Sequence, residues 1–143
     1  MPRALEALLV KIADPLLLLA RLLLALIFLH EAVTLSTGFA VATSALSKIG
    51  VGPFVLVLTI LLQLGAGLMV ASGWHARLGS LSLGLFCLAT AFLHFNLSIR
   101  NELLHFEKDV AIAGGFFVLT VRGSGALSLD RFSKHRRRLE SAF

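Results

Sequence analysis

The run from Pro15 to about Leu35, PLLLLARLLLALIFLHEAVTL, limits the fold more than any other stretch. About 20 mostly apolar residues in an α-helix reach roughly 30 Å, the thickness of a bilayer's hydrocarbon core. The apolar part of a secretory leader is shorter, about 7–15 residues, and a small-x-small cleavage site follows it. Here Arg21 interrupts the run and no such site precedes His30-Glu31. The stretch predicts an uncleaved first transmembrane helix, with Pro15 in its first turn and Asp14 as N-cap.

Composition extends this to the whole chain. It is 57% hydrophobic and 15% charged, with a mean hydropathy of +0.91; soluble domains lie nearer 45–50% apolar. The expected fold is all-α, a single four-helix transmembrane bundle over residues 1–143. Its spans cover about 15–35, 54–72, 78–95 and 103–122, and a basic tail follows over 131–143. Gly52-Pro53 opens the second span, Gly73-Trp74-His75 is a tight turn with an interfacial Trp, and Gly123-Ser124-Gly125 closes the fourth. Ser36 to Pro53 is small and polar, long enough to cross the top of the bundle with a short amphipathic piece.

Lys and Arg set the orientation. With both termini inside, the inner side holds Arg3, Lys11, Arg77, Arg122, Arg131, Lys134, Arg136, Arg137 and Arg138; the outer side holds Lys48, Arg100 and Lys108. That is the positive-inside asymmetry of a bacterial inner-membrane, multi-pass protein. The net charge of +5 is therefore a matter of topology and anionic lipid, not nucleic acid, for which no motif is present. The single cysteine, Cys87, excludes an internal disulfide or a CxxC pair.

The titratable residues collect in the outer leaflet of this topology: His30 and Glu31 on the first span, His94 on the third, and His105, Glu107 and Asp109 on the fourth. Gln63 lies near the middle of the second. The fourth span's uninterrupted apolar run, Val110 to Val121, covers only about 18 Å, so the helix must begin near Leu103, which draws Glu107, Lys108 and Asp109 into the bilayer edge. Charge there is a functional-site hypothesis.

Helical spacing suggests which of these residues face inward. Gln63, Gly67 and Ala71 share a stripe, as do Ser80, Gly84, Cys87, Ala91 and His94, and as do Glu107, Ala111, Gly114 and Val118. Small residues mark helix contact in membranes, so each polar group is expected to look into the bundle. His105 and Asp109 can pair on another face, and His30 and Glu31 are too close in sequence to both point inward. Arg21 shares a stripe with Ala25 and Ala32, but the favoured expectation is that it snorkels to the inner headgroups, with Asp14 below it.

The chain resembles the DoxX family of small bacterial membrane proteins. The resemblance is carried, in order, by LLLARLLLALIF, QLGAGLMVASGWHARLGSLSL, LLHFEKDVAIAGGFFVL and GSGALSLDR, and covers about residues 15–131. Family members usually carry Glu at Gln63, and many end the first span in Gly-x-x-Lys where this chain has His30-Glu31-Ala32-Val33. The resemblance implies a membrane subunit of a redox system, since relatives are linked to quinone-accepting thiosulfate oxidation and to oxidative-stress complexes. The candidate ligand site is then His30, Glu31, Gln63, His94, His105, Glu107 and Asp109, with a quinone as ligand. No residue is assigned a catalytic role, and no metal or haem signature is present. The implied partners are membrane lipid, redox proteins and a second copy in a homo-oligomer. The competing reading is a non-enzymatic scaffold in which these polar groups only hold helices together.

Overall fold

The computed structural model describes residues 2–48, 50–93 and 100–133. Among them the chain is all-helical: α1 (Pro2–Thr37), α2 (Phe39–Ser47), α3 (Pro53–Ser72), α4 (Ala76–Leu93) and α5 (Arg100–Arg122). α1 is longer than the sequence suggested. The amphipathic start runs unbroken into the apolar run, so Pro15 lies inside the helix and Asp14 is not its N-cap. The polar segment after it folds as the short helix α2, packed on α1 and α3.

The long helices pack in the order α1, α3, α4, α5, and the α1–α5 seam is the thinnest. Contacts fix their directions. Arg21, midway along α1, meets Ala71 at the end of α3, and Ala25 and Leu29 flank Gly67 further along. Arg77 reaches Val121, Gly84 abuts Phe116 and Phe117, and Thr90 meets Asp109, so α4 and α5 are antiparallel too. Gly73 supplies the reversal between α3 and α4 in a left-handed conformation (φ 74°) that suits glycine.

The core joins all four long helices through Ala25, Phe28, Ala66, Val70, Leu83, Cys87, Ala113, Phe116 and Leu119. Phe28 is its hub, meeting Phe116 edge-on at 5.4 Å and Phe86 at 6.4 Å. A second cluster, Ala32, Leu56 and Ile60, ties α1 to α3 beneath α2.

Most apolar side chains point the other way. Leu19, Leu22, Leu23 and Leu26 of α1, Val57, Leu58, Leu61 and Leu68 of α3, and Leu78 and Leu85 of α4 are all exposed. Two helices, Val10–Thr37 and Pro53–Ser72, are long and apolar enough to cross a membrane, and only 17% and 28% of their most apolar windows are buried. A core helix of a soluble protein would be mostly buried. This continuous outward apolar belt needs a lipid neighbour.

Close approach of α3 and α4 depends on Gly79, where an added Cβ would lie 2.9 Å from Ala66 O and 3.0 Å from Met69 Cβ. Gly114 on α5 has nothing within 4 Å. Gly79→Ala is expected to cost about 1–3 kcal/mol through overpacking. Gly114→Ala should leave stability unchanged, or raise it by up to about 1 kcal/mol through helix propensity. Thermal unfolding of both variants in one detergent checks the contrast.

Candidate functional site

Two polar zones lie at opposite ends of the bundle. At the end carrying the α3–α4 turn, Arg21 is 1% exposed, the largest of the fully buried side chains. It does not snorkel. Its guanidinium is turned inward and donates to the carbonyls of Ser124, Leu127 (3.0 Å) and Ala71 (3.3 Å). These carbonyls belong to the last turn of α3 and to the loop after α5, so one planar donor fork ties both to α1.

The loop itself is pinned on both sides. Asp14 Oδ1 accepts the Ala126 N–H at 2.8 Å, so this carboxylate holds the loop and does not pair with Arg21. Asp130 accepts the His75 N–H with both oxygens at 3.1 Å, and its own N–H reaches Gly73 O. A Cβ at Gly73 would lie 2.6 Å from Ser128 Cβ and 2.7 Å from Arg21 Nη1. Thus GSGALSLDR is a strap over one end of the bundle, fastened to α1 and to the α3–α4 turn.

The second zone lies at the far end. A Cβ on Gly115 would sit 3.5 Å from Leu24, and equal steps from that contact lead to Glu31 on α1 and Lys108 on α5. One turn from the Gly67–Leu29 contact leads to Gln63. These residues share a layer, yet they face different ways. Gln63 is 4% exposed, inside the bundle, and Asp109 is half-buried between α4 and α5. His30, Glu31, His105 and Glu107 are exposed. His94 lies outside the described residues.

The expected inward stripe of α5 is corrected: Glu107, Ala111, Gly114 and Val118 face outward, and Ala113, Phe116 and Leu119 form the buried stripe. The glycine that permits close approach is on the opposite helix. Gly84 of α4 receives Phe116 and Phe117, so α5 buries Phe116 and Leu119 and leaves Ala111 and Gly114 outside. The stripes of α3 and α4 do face inward, with Gln63, Gly67, Ser80, Gly84, Cys87 and Ala91 all buried.

Chemically, the interior members differ in how well they are satisfied. Gln63 Oε1 has no hydrogen-bond partner among the described residues, nor do Ser80 Oγ and Arg21 Nε. Thr90 Oγ1 lies 3.0 Å from Cys87 O, 3.1 Å from Phe86 O and 3.3 Å from Asp109 Oδ2. An ionised Asp109 accepts the Thr90 proton. A protonated Asp109 donates to Thr90, which then turns its own proton to a helix carbonyl. Lys108 pairs loosely with Asp109 at 3.9 Å. The spacing placed Ser80 on the inward stripe of α4, but sequence reasoning missed Thr90 as a polar neighbour of this interior and Arg21 as an interior group, although Arg21 stood on the Ala25–Ala32 stripe.

Residues 16–96, covering α2, α3, α4 and most of α1, match the DoxX family model. The chain belongs to the DoxX family. It is similar to the inner membrane protein YqjF of Escherichia coli (strain K12), 38% identical over 122 residues, 85% of this chain and 94% of that protein. It is also similar to the inner membrane protein YphA of the same organism, 27% identical over 124 residues, 81% of this chain and 89% of that one. No solved structure matches it. This DoxX-family chain is thus a protein of the bacterial inner membrane. Arg21 and Gln63 lie within the matched segment; Asp109 and the strap lie beyond it.

Replacing Arg21 by Met is expected to destabilise the fold by on the order of 3 kcal/mol, because it strips a donor from each of three carbonyls. Arg21→Lys should recover less than half of this, since an ammonium cannot fork to all three. Chemical or thermal unfolding of the purified variants measures both.

Proposed function

We propose that this protein is the membrane subunit of a quinone-linked redox system. In this reading it is a four-span bundle, spans about 15–35, 54–72, 78–95 and 103–122, with both ends in the cytoplasm. The polar head of the quinone lies in the outer leaflet at the level of Gln63. The observation that carries the reading is the state of that amide. It is enclosed by the helices, yet it makes no hydrogen bond among the described residues. Burying an amide unpaired costs roughly 1–3 kcal/mol. A quinone carbonyl would accept from its N–H groups, and a quinol hydroxyl would donate to Oε1. Each two-electron reduction of a quinone takes up two protons. The Asp109 carboxyl can carry one such proton, with Thr90 Oγ1 as its hydrogen-bond partner whether or not the proton is present, and the electrons come from a redox partner protein.

A second reading, a partner-binding scaffold without a ligand, is favoured by a different observation. His30, Glu31 and Glu107 are exposed in the same layer, and charge at that depth is costly against lipid. A neighbouring subunit would cover them.

Gln63→Leu separates the two readings. If the amide serves a ligand, removing it raises the stability of the ligand-free protein by about 1–2 kcal/mol and weakens binding of a short-chain quinone at least tenfold. Asp109→Asn should leave the fold intact. The quinone reading is overturned if the wild-type protein binds no quinone, or if Gln63→Leu binds it as well as wild type does. A fall in stability with Gln63→Leu marks the amide as structural glue.

A further inference from the structure

At the strap end of the bundle, α5 carries an open depression of about 400 Å³ lined by Phe117, Val118, Val121 and Arg122. Its wall is apolar throughout, and the aliphatic stem of Arg122 is its last part. The guanidinium of Arg77 lies beside that wall. Arg77 Nη2 donates to Val121 O at 3.4 Å, and a Cβ at Gly123 would sit 3.1 Å from Arg77 Nε, which sets this side chain across the end of α5. Both arginines are exposed. Neither arginine has a carboxylate within 4.0 Å among the described residues.

We infer that this face is a binding site for one anionic phospholipid, an acyl chain along Phe117, Val118 and Val121 and the phosphodiester on Arg77 and Arg122. Three observations select that occupant. The depression faces out of the bundle, toward the medium that must cover the apolar belt. Its cations terminate an apolar groove, the order of parts in a phospholipid. And two exposed arginines at one end of the groove, with no carboxylate partner among the described residues, suit a phosphate whose headgroup carries no positive charge of its own. A zwitterionic lipid would set its ammonium against two arginines. The site does not depend on the quinone reading.

Native mass spectrometry of the full chain, offered equal phosphatidylglycerol and phosphatidylcholine in detergent, reads the selectivity directly. Phosphatidylglycerol should be retained in preference, and excess inorganic phosphate should not displace it. The double variant Arg77→Gln with Arg122→Gln should lose about fivefold affinity per arginine, roughly 30-fold in all. Val118→Trp fills the groove from an exposed position, and it should weaken retention while leaving the melting temperature unchanged. A variant with Lys134, Arg136, Arg137 and Arg138 replaced by Gln should keep its preference. Equal retention of the two lipids, displacement by phosphate, or loss of preference in the tail variant alone would each overturn the inference. Should the double variant fail to fold, Val118→Trp decides the matter: unchanged retention refutes the groove.

Discussion

The bundle depends on one charged group held by neutral ones. Arg21 is carried by an apolar helix into the interior, where three backbone carbonyls from two other parts of the chain receive its protons. A buried guanidinium is costly unless its hydrogen bonds are filled. The strap 123–131 and the end of α3 do most of that filling, and in return they are fixed against α1. Asp14 and Asp130 reinforce the arrangement by taking strap and turn N–H groups, so neither carboxylate neutralises Arg21 at contact distance. The end of the bundle is thereby closed by polar bonds at a level where apolar packing alone would leave the thin α1–α5 seam open.

That closure separates the molecule into two chemistries. The strap end is largely filled: the guanidinium donates to three carbonyls and the strap and turn N–H groups are paired, with Arg21 Nε left over, and Gly73 is there because any side chain would strike Arg21 or Ser128. The far end is not. There a buried amide lacks partners and a half-buried carboxyl shares a hydroxyl with two helix carbonyls. Sites that bind or react are drawn from the less satisfied end of a structure, because a filled hydrogen-bond network has nothing to offer a ligand.

Much of this was legible in the sequence, for physical reasons. The turn at Gly73 and the inward stripes of α3 and α4 follow from period and from glycine chemistry, and Gln63 was placed inside by its spacing to Gly67. α5 departs from its sequence pattern because its stripe of small residues is not its contact face. Helix packing needs one glycine per close approach, and Gly84 on α4 supplied it, so Phe116 turned in and Glu107 turned out. Arg21 was misread for another reason. Its partners are carbonyls, which every residue carries and no side-chain pattern displays. Pro15 inside α1 was missed because a proline at the mouth of an apolar run resembles a helix start, whereas the amphipathic residues before it continue the helix.

Hydrogen exchange across the strap tests the central claim most directly. The amides of Ala126 and Asp130 and that of His75 are each held by bonds that exist only while the strap is seated. In the wild-type protein they should exchange as slowly as amides within α3 and α4. In Arg21→Met they should exchange at least tenfold faster while the helix cores stay protected. Fast exchange of the strap in the wild type, or equal protection in both proteins, would show that Arg21 does not hold this end of the bundle closed.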